Sequence, residues 1–139
     1  MGQKIVNLSK HFHLWRLTLD AHALDRGIAN TPEGPQLENL RALCTEVLEP
    51  LLSHVGRPTI IAAFRCRELN AFYGSDDTSP YLQGRAVDLF IPNAEIARKY
   101  LTVLATLPCK TETFQGKIHV ILLQGLSKLP PLTTKNKQK

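Results

Sequence analysis

The sequence predicts a domain that combines helices with strands, because segments with helical and with strand-like apolar patterns occur in one chain. Two segments, 37–52 and 96–107, repeat apolar residues at steps of three and four, which is typical of amphipathic helices that pack on a core. Three short apolar runs, 59–64, 86–91 and 117–123, have the length and composition of strands. We therefore expect helices packed on a small sheet.

Length and composition indicate a single globular domain. The chain has 139 residues, of which 43% are hydrophobic and 21% are charged, and this is enough for one hydrophobic core. No internal repeat and no linker divides the chain. We expect one domain over residues 1–126, with an N-terminal helical arm at 9–30, followed by a basic flexible tail at 127–139.

The positive charge is concentrated in that tail. The formal net charge is +5, and four lysines lie after residue 127, so the rest of the chain is close to neutral: Lys128, Lys135, Lys137 and Lys139. A polybasic tail can contact nucleic acid, an anionic cell wall or a membrane surface, but most often it is a solvated end without a specific partner. Nucleic acid is therefore only a weakly indicated partner.

Cysteine usage and the N-terminal sequence indicate synthesis in the cytoplasm. Cys44, Cys66 and Cys109 are an odd number without CxxC spacing, so we expect reduced thiols and neither a disulfide framework nor a structural zinc site. No apolar segment resembles a signal peptide or is long enough to cross a membrane. Export would then require lysis, a virion or a dedicated secretion machine.

The segment 9–30 is expected to form the helical arm. Ser9 or Asp20 could cap short helices, and Gly27 could end the second of them. Three residues at helical spacing are expected to pack on the core: Phe12, Trp15 and Leu19. Three histidines could bind a metal, although packing explains them as well: His11, His13 and His22.

The longest helix is expected to begin near Thr31-Pro32-Glu33 and to end at Gly56. A strand at 59–64 follows, and then a polar turn or helical piece that starts with Arg65 and Arg67. Basic residues at a strand end commonly face a ligand, but these two could equally pair with acidic neighbours: Glu68 and Asp77.

The segment 74–91 is the most informative one, because a polar loop leads into a strand that carries Asp88 among apolar residues. An ionised carboxylate costs several kcal/mol to bury unless a cation, a metal or several donors meet it. Asp88 also alternates with Val87 and Leu89, as it would on the solvated face of a strand. Both interpretations are open, and Arg85 or Arg65 is a candidate partner for a buried Asp88.

A second strand carries a residue that can bind a metal. Asn93 is a candidate N-cap for the helix that Pro108 ends, and His119 lies within the final strand, 117–123. Asp88 and His119 therefore have equivalent positions in two predicted strands.

Over residues 9–123 the sequence resembles the zinc D-Ala-D-Ala carboxypeptidase family and related phage endolysins. Five motifs carry the resemblance: Ser9-Lys10-His11-Phe12, residues 26–32, residues 37–51, Gly56-Arg57-Pro58 and residues 64–70. The resemblance implies an α+β fold of the hedgehog/D-Ala-D-Ala peptidase type, in which a small antiparallel sheet carries a zinc site and helices pack on one side. It also implies peptidoglycan as a substrate.

The resemblance assigns roles to individual residues. Asp88 matches the zinc-binding Asp of the family, and Gly84 and Ala86 match the spacers before it. His119 matches the zinc-binding His of the closing strand. Arg65 matches an arginine near the substrate, where a guanidinium can hold a peptide carboxylate or an oxyanion.

Three departures surround this site. Tyr81, seven residues before Asp88, stands where the family has its first zinc-binding His. A catalytic zinc needs three protein ligands, and a phenol is an uncommon one. Glu112 is the only carboxylate between Pro108 and His119, so it is a weak candidate for the general base. The family's Ser-Gly-Tyr-Arg-Ser turn reads Ala-Ala-Phe-Arg-Cys at 62–66. Four other histidines lack the sequence context of a ligand: His11, His13, His22 and His54.

These departures favour a degenerate, catalytically inactive member with a vestigial metal site and no expected cofactor. Its expected role is that of a structural or binding component with protein partners, for example in a phage virion or tail, and it could retain affinity for peptidoglycan. The alternative is an active zinc-dependent peptidoglycan D,D- or L,D-peptidase. In that case Asp88 and His119 hold zinc, Arg65 orients the substrate and Glu112 transfers the proton.

Overall fold

The computed structural model describes residues 6–123. Six α-helices in this part of the chain are α1 (Leu14–Thr18), α2 (Ala21–Arg26), α3 (Gly34–Leu43), α4 (Glu49–Val55), α5 (Arg67–Phe72) and α6 (Ala94–Leu104). Its strands are β1 (Ile60–Ala62), β2 (Ala86–Phe90), β3 (Cys109–Phe114) and β4 (Lys117–Leu122). The tail expected at 127–139 lies outside the described residues, so that prediction is untested.

The four strands form one antiparallel sheet in the order β1-β2-β4-β3. One face of β2 and β4 contributes Val87, Leu89, Ile118 and Val120 to the core, and all four are fully buried. Helices supply the other side of that core, for example with Leu40, Leu51 and Leu104. The predicted α+β class, with a small antiparallel sheet and packed helices, is confirmed. Within residues 6–123, no helix is long and apolar enough to span a membrane.

The longest predicted helix is interrupted in its middle. It begins at Gly34 rather than at Pro32, and the Gln36 side chain accepts a hydrogen bond from the Glu33 N–H at 2.7 Å. Between α3 and α4, residues Cys44–Leu48 form a π-helical turn. Pro50 is the second residue after this turn and has no N–H to donate to it, so a regular α-helix could not continue with all its hydrogen bonds.

The N-terminal arm differs from the expected packing. Asp20 caps α2 by accepting from the Ala23 N–H at 2.9 Å, and Gly27 ends this helix with φ 68°, both as expected. The expectation that three residues of the arm pack on the core was wrong for two of them, because Phe12 is fully buried while Trp15 and Leu19 are 54% and 51% exposed. Helix α1 is only five residues long, so it turns just one side to the core.

Glu49 attaches the arm to α4. Its carboxylate accepts hydrogen bonds from the Ser9 hydroxyl at 2.7 Å and from the His11 backbone N–H at 2.6 Å, and it lies 2.7 Å from His11 Nδ1. Ser9 is therefore not the cap of α1 that the sequence allowed. Burial alone would raise the pKa of Glu49, but the hydrogen bonds from His11 and Ser9 outweigh it and lower this pKa.

We expect Glu49→Gln to lower the free energy of unfolding by about 1–2 kcal/mol at neutral pH, because an amide accepts these bonds less well. The lowered pKa means that the native state gains stability from Glu49 above the unfolded value of about 4.3, and loses it as pH falls through the folded pKa. Urea denaturation should therefore show that the free energy of unfolding falls less between neutral and acid pH in the variant than in the native protein. Glu38→Gln, at an exposed position of α3, is the control and should leave both quantities unchanged.

Candidate functional site

Strands β2 and β4 place Asp88 directly opposite His119 in the antiparallel register. Cross-strand neighbours project from the same face of a sheet, so both side chains reach the face opposite the core. Asp88 Oδ1 lies 2.6 Å from His119 Nδ1. Asp88 is 1% exposed, so the interpretation as a solvated strand residue was wrong.

Tyr81 covers this pair. Its hydroxyl lies 2.7 Å from Asp88 Oδ2, 2.8 Å from Oδ1 and 3.0 Å from His119 Nδ1. An ionised carboxylate can only accept hydrogen bonds. The Tyr81 hydroxyl and the His119 Nδ1–H therefore both donate hydrogen bonds to Asp88. The three residues that the sequence placed at the vestigial metal site therefore lie together and bond to one another.

Lys117 completes the cluster around Asp88. Its Nζ lies 3.0 Å from Asp88 Oδ2, while its side chain remains 36% exposed. Lys117 was not predicted from the sequence, where Arg85 and Arg65 were the candidate partners of Asp88. Arg85 instead donates to the Gln83 side chain and to the Leu122 carbonyl. The available signal was spacing, because Lys117 precedes His119 by two residues and so shares its face of β4.

Burial and hydrogen bonding act in opposite directions on the pKa of Asp88. Burial alone would raise it, but hydrogen bonds from His119, Tyr81 and Lys117, together with the Lys117 charge, hold the pKa of Asp88 below its usual value. Burial and the hydrogen bond to Asp88 raise the pKa of Tyr81. The cluster therefore holds an ionised carboxylate and a neutral phenol.

A tight turn brings Tyr81 over the sheet. Gly84 has φ 80°, and a Cβ at this position would lie 2.5 Å from the Gln36 backbone oxygen of α3. The Gln36 amide donates to the Leu82 carbonyl at 2.8 Å, and the Asn39 amide donates to the Gln83 carbonyl at 2.8 Å. The loop before β2 is thus attached to α3, and this attachment fixes the position of Tyr81.

Arg65 lies beside the cluster and contacts Tyr81. Its guanidinium carbon is 4.0 Å from the centre of the Tyr81 ring and 4.1 Å from that of Tyr73, so the cation is stacked between two aromatic rings. Its Nε is buried and has no hydrogen-bond partner among the described residues. Arg67 instead forms an ion pair with Asp77 at 2.6 Å, which was the alternative considered for the basic pair.

Glu112 is on the same face but one strand further away. It lies opposite His119 in the pairing of β3 with β4, and its side chain is exposed. Its charge contributes to the raised pKa of Tyr81. Strand β3 was not predicted from the sequence, although Thr111 and Thr113 favour a strand and Gly116, with φ 80°, makes the turn to β4.

The other histidines lie elsewhere. His11 contacts Glu49, His13 lies close to the Asn7 side chain, and His54 Nδ1 is 2.8 Å from the Pro50 carbonyl. His22 packs against the Phe72 and Tyr73 rings. In residues 6–123, no three His, Cys, Asp or Glu side chains are grouped so that they could hold a metal ion.

An open cleft adjoins the cluster. It has a volume of about 340 Å³ and is lined by residues 74–76 and 78–80 together with Tyr81 and His119. Most of this lining is the polar loop that precedes β2. A ligand in the cleft would therefore contact the polar loop next to Tyr81 and His119.

The donor set does not fit a catalytic zinc ion. Such a site needs three protein ligands whose lone pairs face one point, and an open position for water. Here His119 Nδ1 and Asp88 Oδ1 face each other at 2.6 Å, and the third group is a phenol with a raised pKa. Lys117 adds a positive charge 3.0 Å from Asp88, where it would repel a bound cation.

Comparison with known families assigns the chain. The family model described as Peptidase M15 matches residues 10–120. Comparisons with curated proteins and with solved structures give no significant match. The matched segment is well over half of the chain and contains both Asp88 and His119, and it confirms the resemblance read from the motifs. The chain therefore belongs to the peptidase M15 family, the family of the D-Ala-D-Ala carboxypeptidases.

Proposed function

We propose that this M15 domain is catalytically inactive and serves as a binding or structural component. One observation carries the proposal: both oxygens of Asp88 are engaged by protein groups, namely the Tyr81 hydroxyl, the His119 imidazole and the Lys117 ammonium. These groups supply the hydrogen bonds and the positive charge that a buried carboxylate requires. In this chain, Asp88 serves as an internal anion of the fold.

The chemistry of Tyr81 supports the proposal. A metallopeptidase of this family uses its zinc ion to activate water, and the ion must be held by neutral imidazole and carboxylate lone pairs. Tyr81 offers a neutral hydroxyl whose raised pKa opposes its conversion to a phenolate ligand. Glu112 is exposed on the neighbouring strand, and no metal-bound water would be available for it to deprotonate.

Binding chemistry is retained next to the lost catalytic chemistry. Arg65 is held rigidly between Tyr73 and Tyr81, beside the cluster that borders the open cleft. A preorganised guanidinium favours a carboxylate, such as the end of a peptide. This supports a domain that holds a peptidoglycan peptide or a protein partner without cleaving it. A phage virion or tail is an assembly in which such a domain would serve, since the family is frequent in phage genomes.

The proposal is tested by the zinc content of the purified protein and of its Tyr81→His variant. We expect no bound zinc in the native protein, and uptake by the variant, because an imidazole would supply the third ligand next to Asp88 and His119. Adding Lys117→Ala to the variant should tighten zinc binding further, by roughly tenfold, because it removes the neighbouring positive charge. Elemental analysis and competition with a chromogenic chelator measure both quantities.

Thr102→His is the control, because it adds an imidazole at an exposed position of α6, away from Asp88 and His119. This control should take up no zinc. One result would contradict the proposal, and a second would contradict the assignment of Asp88 and His119 to one metal position. Zinc near one equivalent in the native protein, together with chelator-sensitive cleavage of peptidoglycan, would establish the alternative of an active peptidase. If Tyr81→His binds no zinc, the convergence of Asp88 and His119 on one metal position would be wrong.

A further inference from the structure

Strand β3 is the terminal strand of the sheet and has an unusually open edge. Five of its six residues are exposed, so neither face of the strand is covered within residues 6–123. The strand is six residues long, contains no proline and carries threonines at Thr111 and Thr113. Such a strand presents a row of backbone N–H and C=O groups on which another strand can pair.

The hydrogen-bond pattern shows which backbone groups are available. The Leu123 N–H donates to the Pro108 carbonyl at 2.9 Å, so Pro108, directly before β3, turns its carbonyl toward the β4 side. Successive residues of an antiparallel strand direct these groups to opposite sides. Lys110, Glu112 and Phe114 therefore bond toward β4, while Thr111 and Thr113 direct their N–H and C=O groups to the open edge.

The charges of β3 are complementary to those of a second β3 in the antiparallel direction. With Thr111 opposite Thr111 of the partner subunit, the two-fold axis places Lys110 opposite Glu112 of the partner subunit, and Glu112 opposite Lys110 of the partner subunit. A shift by two residues in one direction would place two lysines opposite each other, and a shift in the other direction two glutamates. Like charges in direct opposition destabilise a strand pair.

We propose that the chain forms a symmetric dimer through β3, in this register, with a second copy as the occupant of the open edge. The outward N–H and C=O groups of the two Thr111 residues then bond to each other, and two Lys110–Glu112 pairs flank them. The result is a continuous eight-stranded antiparallel sheet. Both Asp88 clusters lie on the same face of it, because Lys110 and Glu112 share that face with His119.

The full-length protein tests the dimer directly. Analytical ultracentrifugation over a concentration series should show a reversible monomer–dimer equilibrium. Lys110→Glu should raise the dissociation constant by roughly tenfold or more, because two attractive cross-strand pairs become repulsive. Lys110→Glu combined with Glu112→Lys restores opposite charges across the axis and should recover the native dissociation constant. Lys10→Glu makes the same charge change at an exposed site outside the sheet and should have no effect.

Thr111→Pro tests the backbone pairing independently of charge. Proline removes an N–H that faces the open edge and is not needed for pairing with β4, so the fold is retained and the dimer is lost. The melting temperature reports on the fold of each variant. A native protein that is monomeric at every concentration would overturn the proposal, as would a dimer that Thr111→Pro leaves intact. Failure of the charge swap to restore association would also overturn it, because the register would then be different.

Discussion

Replacing Gly84 with alanine is expected to destabilise the protein by about 3 kcal/mol or more, for two reasons that add. The residue has φ 80°, where a side chain is strained, and the new Cβ would lie 2.5 Å from the Gln36 backbone oxygen and 3.3 Å from Leu40 Cγ. The oxygen belongs to helix α3 and cannot rotate away as a flexible side chain could. Urea denaturation measures the loss.

Gly116→Ala is the matched control for this experiment. Gly116 also has φ 80°, but a Cβ there would meet no atom within 4 Å. Its replacement should therefore cost only the strain of placing a side chain at positive φ, about 1–2 kcal/mol. Equal losses for the two variants would mean that the close approach of the Tyr81 loop to α3 contributes nothing to stability.

Asp88→Asn is expected to lower the free energy of unfolding by about 2–4 kcal/mol. Asparagine keeps the shape but removes the charge, so Lys117 loses its ion pair and one of three donors loses its acceptor. Because Asp88 is almost completely buried, water does not replace these bonds on the Tyr81 side. Thermal and urea unfolding at neutral pH measure the effect.

The sign of this change separates a structural carboxylate from a metal ligand. A carboxylate that awaits a cation is a source of repulsion and desolvation in the metal-free protein, so its removal commonly stabilises the fold. Glu38→Gln is the control, because Glu38 is exposed on α3, and it should change stability by less than about 0.5 kcal/mol. An increase in stability for metal-free Asp88→Asn would contradict the structural role.

Apolar periodicity was sufficient to predict the elements that build the core. Helix α6 and the strands that carry Asp88 and His119 lie where the pattern placed them, because long amphipathic helices and buried strands leave a strong signal. Strand β3 was missed because it is exposed on both faces. Its sequence therefore lacks the alternation of apolar and polar residues that marks a half-buried strand. An edge strand of this kind is determined by its partner, β4, and not by its own hydrophobicity.

The candidate site was predictable only in part. Family motifs located Tyr81, Asp88 and His119, and the strand register explains why they meet. Lys117 was not recognised, since its role depends on which strand pairs with β2. The exposure of Trp15 was also not predictable, because helical spacing alone does not reveal how much of a short helix faces the core.

The π-helical turn at Cys44–Leu48 sets the rotation of the following helix. Six fully buried residues recur here at intervals of four: Leu40, Cys44 and Leu48, and Leu43, Val47 and Leu51. Four residues of an ideal α-helix rotate by about 400°, so such a row drifts by about 40° at each step. The wider π turn offsets this drift and keeps both rows on the core. Deleting one residue from the turn would rotate α4 by about 100° and carry Leu51 toward solvent.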